Sequence, residues 1–211
     1  MLGLTADPVC SVDPGSGLLR AARYVHSPNQ DARPPGATLD LIVLHGIGLP
    51  PGEFGGPWVE RLFTNTLPGD AHPFFAGIAG LRVSTHLFIR RDGEVVQFVP
   101  FHARAWHAGP SSWRYRVACN DFSIGIELEG ADDVAYADVQ YERTVSAVAA
   151  LCRAYPTLSP TALASHSEIA PSRKTDPGPA FDWVRLRAGL GAALGAPAAL
   201  AAAPAAARSR A

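Results

Sequence analysis

Residues 122–129 read Phe-Ser-Ile-Gly-Ile-Glu-Leu-Glu, and this stretch decides the fold. Large apolar side chains occupy every second position, from 122 to 128, and small or acidic residues lie between them. A period of two is typical of a β-strand whose two faces meet different surroundings. The sequence therefore predicts a strand here, with one face in a core and a second face that carries two carboxylates.

Further strands are predicted on the N-terminal side of this stretch. Leu39 to Ile47 is nearly all apolar and predicts a buried strand with His45 near its end. The next segment, Gly46 to Pro57, has eight Gly or Pro in twelve residues and predicts a loop. Val83–Arg90 and Glu94–Val99 are predicted strands, and the Asp-Gly pair between them is a strong hairpin signal.

Helical patterns alternate with these strands. Trp58–Leu67 and Phe181–Leu190 predict short helices, and Asp138–Tyr155 predicts a longer one. In the longer segment, apolar residues recur at spacings of four and three, which forms one apolar stripe on a helix. Asp138 is a plausible N-cap and Pro156 ends the helix. Strands and helices in this mixed order favour a mixed α/β (α+β) fold, in which helices flank a single central mixed β-sheet.

The length of 211 residues fits one domain with a short extension. We expect residues 1–188 to form the domain, with a loop-rich segment over residues 1–38. Residues 189–211 are rich in alanine and are interrupted by Gly and Pro. Because such interruptions limit a helix to one or two turns, we expect a flexible C-terminal tail.

Charge and cysteine content exclude several classes of protein. The net charge is -1, and no basic cluster is present that would indicate nucleic-acid binding. Three scattered cysteines do not form a disulfide scaffold or a cysteine-based zinc module, and they fit a reducing compartment. The N-terminus has no signal-peptide pattern, and no long apolar run precedes the tail. We therefore expect a cytoplasmic protein without a membrane span.

Two histidines and one aspartate are candidate metal ligands. His45 and His166 each follow an apolar run, and Asp176 comes ten residues after His166, in a Pro- and Gly-rich segment. Two histidines and a carboxylate are sufficient for a catalytic zinc, which keeps one position for water. From spacing alone, however, the pattern favours two ordinary histidines and a turn-forming aspartate.

Several other residues are candidates for chemistry. A carboxylate at Glu127 could act as a general base, but by pattern Glu129 is an equal candidate and either could face solvent. His86 fits a hydrogen-bonded wall residue better than a ligand. Trp106 and His107 could line a groove for a sugar or peptide, or could anchor a loop.

Several ordered blocks carry a resemblance to a known family. They are Leu49–Trp58, Ile89–Glu94, Ala105–Gly109, Cys119–Gly130, Ile169–Pro171 and Arg173–Pro179. In these blocks the chain resembles the AmpD group of N-acetylmuramoyl-L-alanine amidases, within the zinc amidase and peptidoglycan-recognition family. The resemblance covers roughly residues 20 to 188, and it implies a central mixed sheet flanked by helices with a zinc site at one edge of a groove.

The resemblance also implies residue roles. One Zn²⁺ would be held by His45, His166 and Asp176, while Glu127 would be the general base and Lys174 would support the transition state. Arg82, Trp106 and His107 lie in family-like blocks and are candidates for binding substrate. The chain departs from the pattern in two places: Gly46 stands where relatives often have Asn, and Ala118 stands where they often have Arg.

The implied function is hydrolysis of the amide bond between the lactyl group of (anhydro-)N-acetylmuramic acid and L-alanine in muropeptides. This reading makes the protein a cytoplasmic, monomeric enzyme of cell-wall recycling, with a secondary role in the response to cell-wall antibiotics. Two alternatives remain: an amidase acting on intact peptidoglycan outside the cytoplasm, and a non-catalytic peptidoglycan-binding module. Retention of all three ligands together with Glu127 and Lys174 favours an enzyme over the binding module.

Overall fold

The computed structural model describes residues 10–195, and these contain four α-helices and twelve strands. The helices are α1 (Trp58–Phe63), α2 (Asp138–Ala154), α3 (His166–Ile169) and α4 (Trp183–Leu194). The strands are β1 (Val12–Asp13), β2 (Leu18–Leu19), β3 (Arg23–Tyr24), β4 (Gln30–Ala32), β5 (Leu41–Ile47), β6 (Leu87–Ile89), β7 (Val95–Gln97), β8 (Ala103–Ala105), β9 (Ser112–Trp113), β10 (Arg116–Val117), β11 (Ser123–Glu129) and β12 (Leu163–Ser165). Short 3₁₀-helices cover Pro73–Gly77 and Cys119–Asp121.

A six-stranded sheet in the order β12-β5-β11-β6-β7-β3 organises the chain. Strands β12, β5, β11 and β6 are parallel to one another, whereas β7 runs antiparallel to β6 and pairs in parallel with β3. The predicted mixed α/β fold with one central mixed sheet is therefore confirmed. Because four neighbouring strands run in the same direction, their carboxyl ends meet at one edge, which is where ligands bind in open α/β sheets.

One face of the sheet packs against α2 and α4. Ile124, Ile126 and Leu128 of β11 belong to the largest apolar cluster, together with Val148 and Leu151 of α2. These are the alternate positions that the sequence pattern assigned to a core face, so that prediction is confirmed. Burying this face removes a large apolar area from water, which is the dominant favourable contribution to folding.

The opposite face is also covered, which the alternation did not predict. All seven residues of β11 are buried, including the small and acidic ones. A second apolar cluster on α1 and the following 3₁₀-helix includes Phe63 and Phe75, and a third includes Leu41 and Val43 of β5. Glu127 and Glu129 therefore lie in the interior and not on a solvated face.

Several element limits differ from the predicted ones. Helix α1 ends at Phe63 and not at Leu67. The N-cap of α2 is Ala137 and not Asp138, because the Gln140 side chain accepts a hydrogen bond from the backbone N–H of Ala137 at 3.0 Å. Helix α4 extends to Leu194, since Leu190 is fully buried against the main core.

The predicted tail begins at residue 189, so its first six residues belong to α4. Residues 196–211 lie outside the described part of the chain. Within residues 10–195, no helix combines the length and the apolar character that crossing a bilayer requires.

Candidate active site

Two neighbouring parallel strands place His45 and Glu127 side by side. In the register of β5 and β11, Glu127 is directly opposite His45. Side chains at paired positions of adjacent strands point to the same face, here the face covered by α1. His45 is 1% exposed and Glu127 is 9% exposed. The rigid sheet therefore positions both groups.

A third strand and the helix after it position His166. Strand β12 lies on the other side of β5, and His166 is the first residue of α3. Ser165 and Glu168 form a capping box, in which the Ser165 hydroxyl accepts a hydrogen bond from the Glu168 backbone N–H and the Glu168 carboxylate accepts one from Ser165 N–H. This reciprocal cap holds the first turn of α3 and so fixes where the His166 ring enters the site.

Asp176 comes from the loop after α3. The backbone N–H of Ser167 donates to the carbonyl of Asp176 at 3.1 Å, which ties the loop to the helix. Asp176 Oδ2 lies 3.0 Å from His166 Nδ1 and 3.5 Å from His45 Nδ1, and the two Nδ1 atoms are 2.9 Å apart. Of the described residues, these three form a group of possible metal ligands whose donor atoms lie within 4.8 Å of one another.

The chemistry of this donor set fits a divalent metal. His166 Nε2 lies 3.2 Å from the carbonyl of Ala108, which can only accept a hydrogen bond, so the Nε2 hydrogen would have a partner when Nδ1 binds a metal. His166 Nδ1 faces the Asp176 carboxylate and the Nδ1 atom of His45. Two imidazoles and one carboxylate form a catalytic-type zinc set that leaves a fourth position for water.

Burial and local charge shift the protonation of the set. Burial lowers the pKa of His45 to about 4. Burial alone would raise the pKa of Asp176, but the interactions of its carboxylate with the adjacent His166 and His45 imidazoles more than offset this effect, and the pKa lies well below its usual range. A neutral His45 and an ionised Asp176 are the forms that coordinate a metal.

Glu127 is the carboxylate nearest to this group on the strand side. Its Oε1 lies 4.0 Å from His45 Nδ1, and Oε2 has no hydrogen-bond partner among the described residues. Burial, followed by the charge of Asp176, raises the pKa of Glu127 well above its usual value. A buried carboxyl group with a raised pKa retains a proton more readily than an exposed one, as a general acid requires.

A cavity of about 190 Å³ connects these groups. Glu127, His166, Lys174 and Asp176 line its polar part. Its apolar part is lined by residues of α1 and of the segment before β6, namely Leu62, Phe63, Leu81 and Val83. A larger cavity of about 430 Å³ lies beside β2 and α2 and contains none of the predicted site residues.

The three predicted substrate-binding residues are placed differently from one another. His107 lines the cavity and is 8% exposed. Arg82 is exposed and lies between Leu81 and Val83, which both line the cavity. Trp106 is half-buried, and its backbone pairs with Ser84.

The second carboxylate of β11 has a different role from the first. Glu129 Oε1 accepts a hydrogen bond from the backbone N–H of Gly55 at 2.6 Å, and Oε2 accepts one from Arg91 N–H at 3.0 Å. Glu129 therefore joins the glycine-rich loop after β5 to the turn after β6. The sequence pattern treated Glu127 and Glu129 as equals, whereas the structure separates them because only Glu127 faces the metal-ligand group.

Sequence reasoning missed Tyr136. Its hydroxyl donates a hydrogen bond to the carbonyl of Pro177 at 3.1 Å, directly after Asp176. A Cβ atom added at Gly46 would lie 2.4 Å from the same hydroxyl oxygen, so the tyrosine occupies the space where a side chain at position 46 would begin. Tyr136 lies in an irregular segment, and no periodicity or motif marked it.

Three comparisons place this geometry among known proteins. A family model described as N-acetylmuramoyl-L-alanine amidase matches residues 35–179. The 1,6-anhydro-N-acetylmuramyl-L-alanine amidase AmpD of Escherichia coli is 58% identical over 171 residues, which are 81% of this chain and 93% of the relative. A crystal structure of an AmpD derivative has a TM-score of 0.82 and 56% identity, and the match covers 85% of this chain and 98% of that one.

A more distant structure includes a ligand. It is a complex of the N-acetylmuramyl-L-alanine amidase AmiD of E. coli with anhydro-N-acetylmuramic acid-L-Ala-D-γ-Glu-L-Lys. The identity is 25% and the TM-score is 0.52, and the match covers 74% of this chain and 60% of that one.

Proposed function

The chain belongs to the N-acetylmuramoyl-L-alanine amidase family, and we propose that it hydrolyses the lactyl amide bond to L-alanine in 1,6-anhydro-muropeptides during cell-wall recycling. The observation that carries this proposal is the convergence of His45, His166 and Asp176. His166 and Asp176 line one cavity together with Glu127. AmpD relatives of this activity match the chain over nearly their whole length. The AmiD complex supports a muropeptide as the partner.

One Zn²⁺ per chain would be held by His45, His166 and Asp176. A zinc ion bound there would supply a water with a pKa lowered from about 15.7 toward about 7 and a Lewis acid for the scissile carbonyl. With two neutral imidazoles and one carboxylate as ligands, the site would keep a net positive charge, which would favour the developing oxyanion over the neutral ground state.

Glu127 would be the general base and then the general acid. Its carboxylate accepts a proton from the attacking water as the water oxygen bonds to the carbonyl carbon. The same proton is then delivered to the alanine nitrogen while the C–N bond breaks, so the products are a free lactyl carboxylate and a free amine. Because burial favours the protonated form of Glu127, the side chain can hold the proton between these two events.

Lys174 would stabilise the negative charge that forms on the carbonyl oxygen. Its half-buried side chain lines the same cavity as Glu127 and Asp176. Well-placed donors to an oxyanion contribute roughly 3–4 kcal/mol to catalysis. The ammonium group is therefore proposed as an electrostatic contributor that does not transfer a proton.

The substrate would lie along the apolar side of the cavity, with Arg82 and Trp106 at the groove. An arginine can pair with a carboxylate of the stem peptide, and an indole ring can stack on a sugar face. We further propose a cytoplasmic monomer without affinity for nucleic acid. The catalytic domain would end with α4, and the alanine-rich segment after it would be a dispensable extension.

The test combines zinc analysis with product release. The purified chain is incubated with 1,6-anhydro-N-acetylmuramyl-L-alanyl peptide, and free peptide is measured by mass spectrometry while bound zinc is measured by elemental analysis. We expect about one zinc per chain and release of the peptide. Absence of both zinc and product would overturn the proposal in favour of a binding module, and activity on intact peptidoglycan alone would overturn the recycling role.

A further inference from the structure

A buried chain of hydrogen bonds runs from the carbonyl of Cys119 to the imidazole of His45. The Ser123 hydroxyl lies 2.6 Å from the Cys119 carbonyl and 3.1 Å from His107 Nε2. At the other side of the ring, His107 Nδ1 lies 2.9 Å from His45 Nε2. Ser123 is fully buried and both rings are nearly so, hence water does not compete for these bonds.

The direction of each bond follows from the first acceptor. A backbone carbonyl can only accept, so the single hydroxyl hydrogen of Ser123 is used on Cys119. The hydroxyl oxygen must then accept from His107, which places the hydrogen of that ring on Nε2 and a lone pair on Nδ1. His45 must therefore donate from Nε2, and its own Nδ1 is left with a lone pair.

That lone pair is on the atom that faces the other two proposed ligands. His45 Nδ1 is the atom 2.9 Å from His166 Nδ1 and 3.5 Å from Asp176 Oδ2. We propose that His107 is a positioning residue, which holds His45 in the Nε2–H tautomer and in the ring orientation needed to bind the metal. This inference rests on the proposed role of His45 as a ligand.

The surroundings of His107 support this role. Gly125 of β11 leaves room for the ring, since a Cβ at position 125 would lie 2.5 Å from His107 Cγ. The backbone N–H groups of His107 and Ala108 both donate to Asn120 Oδ1, at 3.1 Å and 2.8 Å. The His107 ring is therefore held by the space that Gly125 leaves, by the backbone bonds to Asn120, and by its own two hydrogen bonds.

The residue after His107, Ala108, also orients the second proposed histidine ligand, His166. The carbonyl of Ala108 accepts a hydrogen bond from His166 Nε2 at 3.2 Å, so His107 and Ala108 together orient both imidazole ligands. Each ligand presents Nδ1 inward and is held through Nε2. Since both ring nitrogens of His107 are used inside the protein, the structure favours positioning over the substrate contact that the sequence suggested for this residue.

Zinc affinity is the first readout of this proposal. Hydrogen-bond partners of ligating histidines typically contribute about 10–100-fold to metal affinity. We expect His107→Phe to weaken zinc binding by about that factor in competition with a chromophoric chelator. His107→Asn keeps an acceptor close to the former Nδ1 and should recover part of the loss. Ser123→Ala removes the next bond in the chain and should weaken binding by a smaller factor.

Tautomer state is the second readout, and it requires neither zinc nor activity. Long-range ¹H–¹⁵N correlation spectra of the zinc-free protein at pH 8 distinguish Nε2–H from Nδ1–H histidines. We expect His45 to be Nε2–H in the wild type and to become a mixture in His107→Phe. If His107→Phe does not fold, the same spectra of His107→Asn and Ser123→Ala provide the test.

The negative results of these experiments distinguish the proposed function from the positioning role of His107. A wild-type protein that shows the Nε2–H tautomer but binds no zinc would refute the proposed function and leave the hydrogen-bond assignment intact. An Nδ1–H tautomer at His45 would overturn the positioning role, as would folded His107 and Ser123 variants with unchanged zinc affinity.

Discussion

Glu127 lies directly opposite His45 in the parallel pairing of β11 with β5, and its Oε1 is 4.0 Å from His45 Nδ1. This relationship places a proposed general base next to a proposed metal ligand without the help of a flexible loop. A base on a central strand keeps its position, and positional precision is what proton transfer in a transition state requires.

Replacing Glu127 with Gln removes the base but preserves the shape of the side chain. We expect amide hydrolysis to fall by about 10²–10⁴-fold, which is the usual contribution of general acid–base catalysis. Zinc content should stay at the wild-type level, because Glu127 is not a proposed ligand. Product release by mass spectrometry and elemental analysis check both points.

A matched control for this variant is Glu94→Gln. Glu94 lines the other cavity and forms an ion pair with Arg23 at 2.8 Å. The control should keep full activity. Equal turnover in the Glu127 variant and the control would contradict the assignment.

Replacing Asp176 with Asn removes the anionic ligand. A ligand that binds only the folded state stabilises it by about 2.7 kcal/mol when present at 100 times its Kd. We expect zinc to raise the melting temperature of the wild-type protein and a chelator to reverse the effect. Asp176→Asn should largely lose this response, whereas Asp70→Asn, a change at an exposed carboxylate, should retain it. A zinc-dependent shift of wild-type size in the Asp176 variant would exclude this carboxylate as a ligand.

Replacing Glu129 with Ala should affect stability and the glycine-rich loop. The buried carboxylate accepts backbone hydrogen bonds from Gly55 and Arg91, and unsatisfied buried donors cost about 1–3 kcal/mol. We expect chemical denaturation to show a loss of this order and hydrogen exchange at Gly55 to accelerate. Glu129→Gln keeps one carboxamide oxygen as an acceptor and should lose less. Unchanged exchange at Gly55 in the Ala variant would show that Glu129 does not hold the loop.

The stability of the metal-free protein should fall in mild acid. Burial, followed by the nearby charge of Arg33, lowers the pKa of His86 well below its ordinary value of 6.5. Between the folded and unfolded pKa values, the unfolded chain binds more protons, so the free energy of unfolding decreases as the pH drops below about 6.5. Each such histidine contributes up to about 1.4 kcal/mol per pH unit. Denaturation of the metal-free protein at a series of pH values measures this slope.

A His86→Asn variant isolates the contribution of this histidine. His45 and His107 are also buried with lowered pKa values, so the variant should flatten the slope only in part. It should also be less stable at neutral pH, because His86 Nδ1 accepts a hydrogen bond from Gly125 N–H. A wild-type slope in the variant would mean that His86 is protonated in the folded state.

Much of the fold was predictable from local pattern. The period-two alternation of residues 122–129 and the three- and four-residue spacing of α2 both result from which side chains face the core, and both predictions are confirmed. Element ends were less predictable. Helix α4 continues to Leu194 because Leu190 packs against the main core. This tertiary contact cannot be predicted from the local sequence pattern.

The residues of the candidate site could be named from family blocks, but their spatial relations could not. His45 and His166 are separated by 121 positions in sequence, and only the order of β12, β5 and β11 in the sheet brings their Nδ1 atoms to 2.9 Å. The sequence by itself determined which faces of its strands and helices are apolar and which residue types stand at their ends, because periodicity is a local property of the chain. The tertiary structure alone decided that Glu127 faces the ligands while Glu129 holds a loop, and that both ring nitrogens of His107 have protein partners. Those outcomes depend on groups distant in sequence meeting in a water-poor interior, where each hydrogen bond must be satisfied by the partner that the fold supplies.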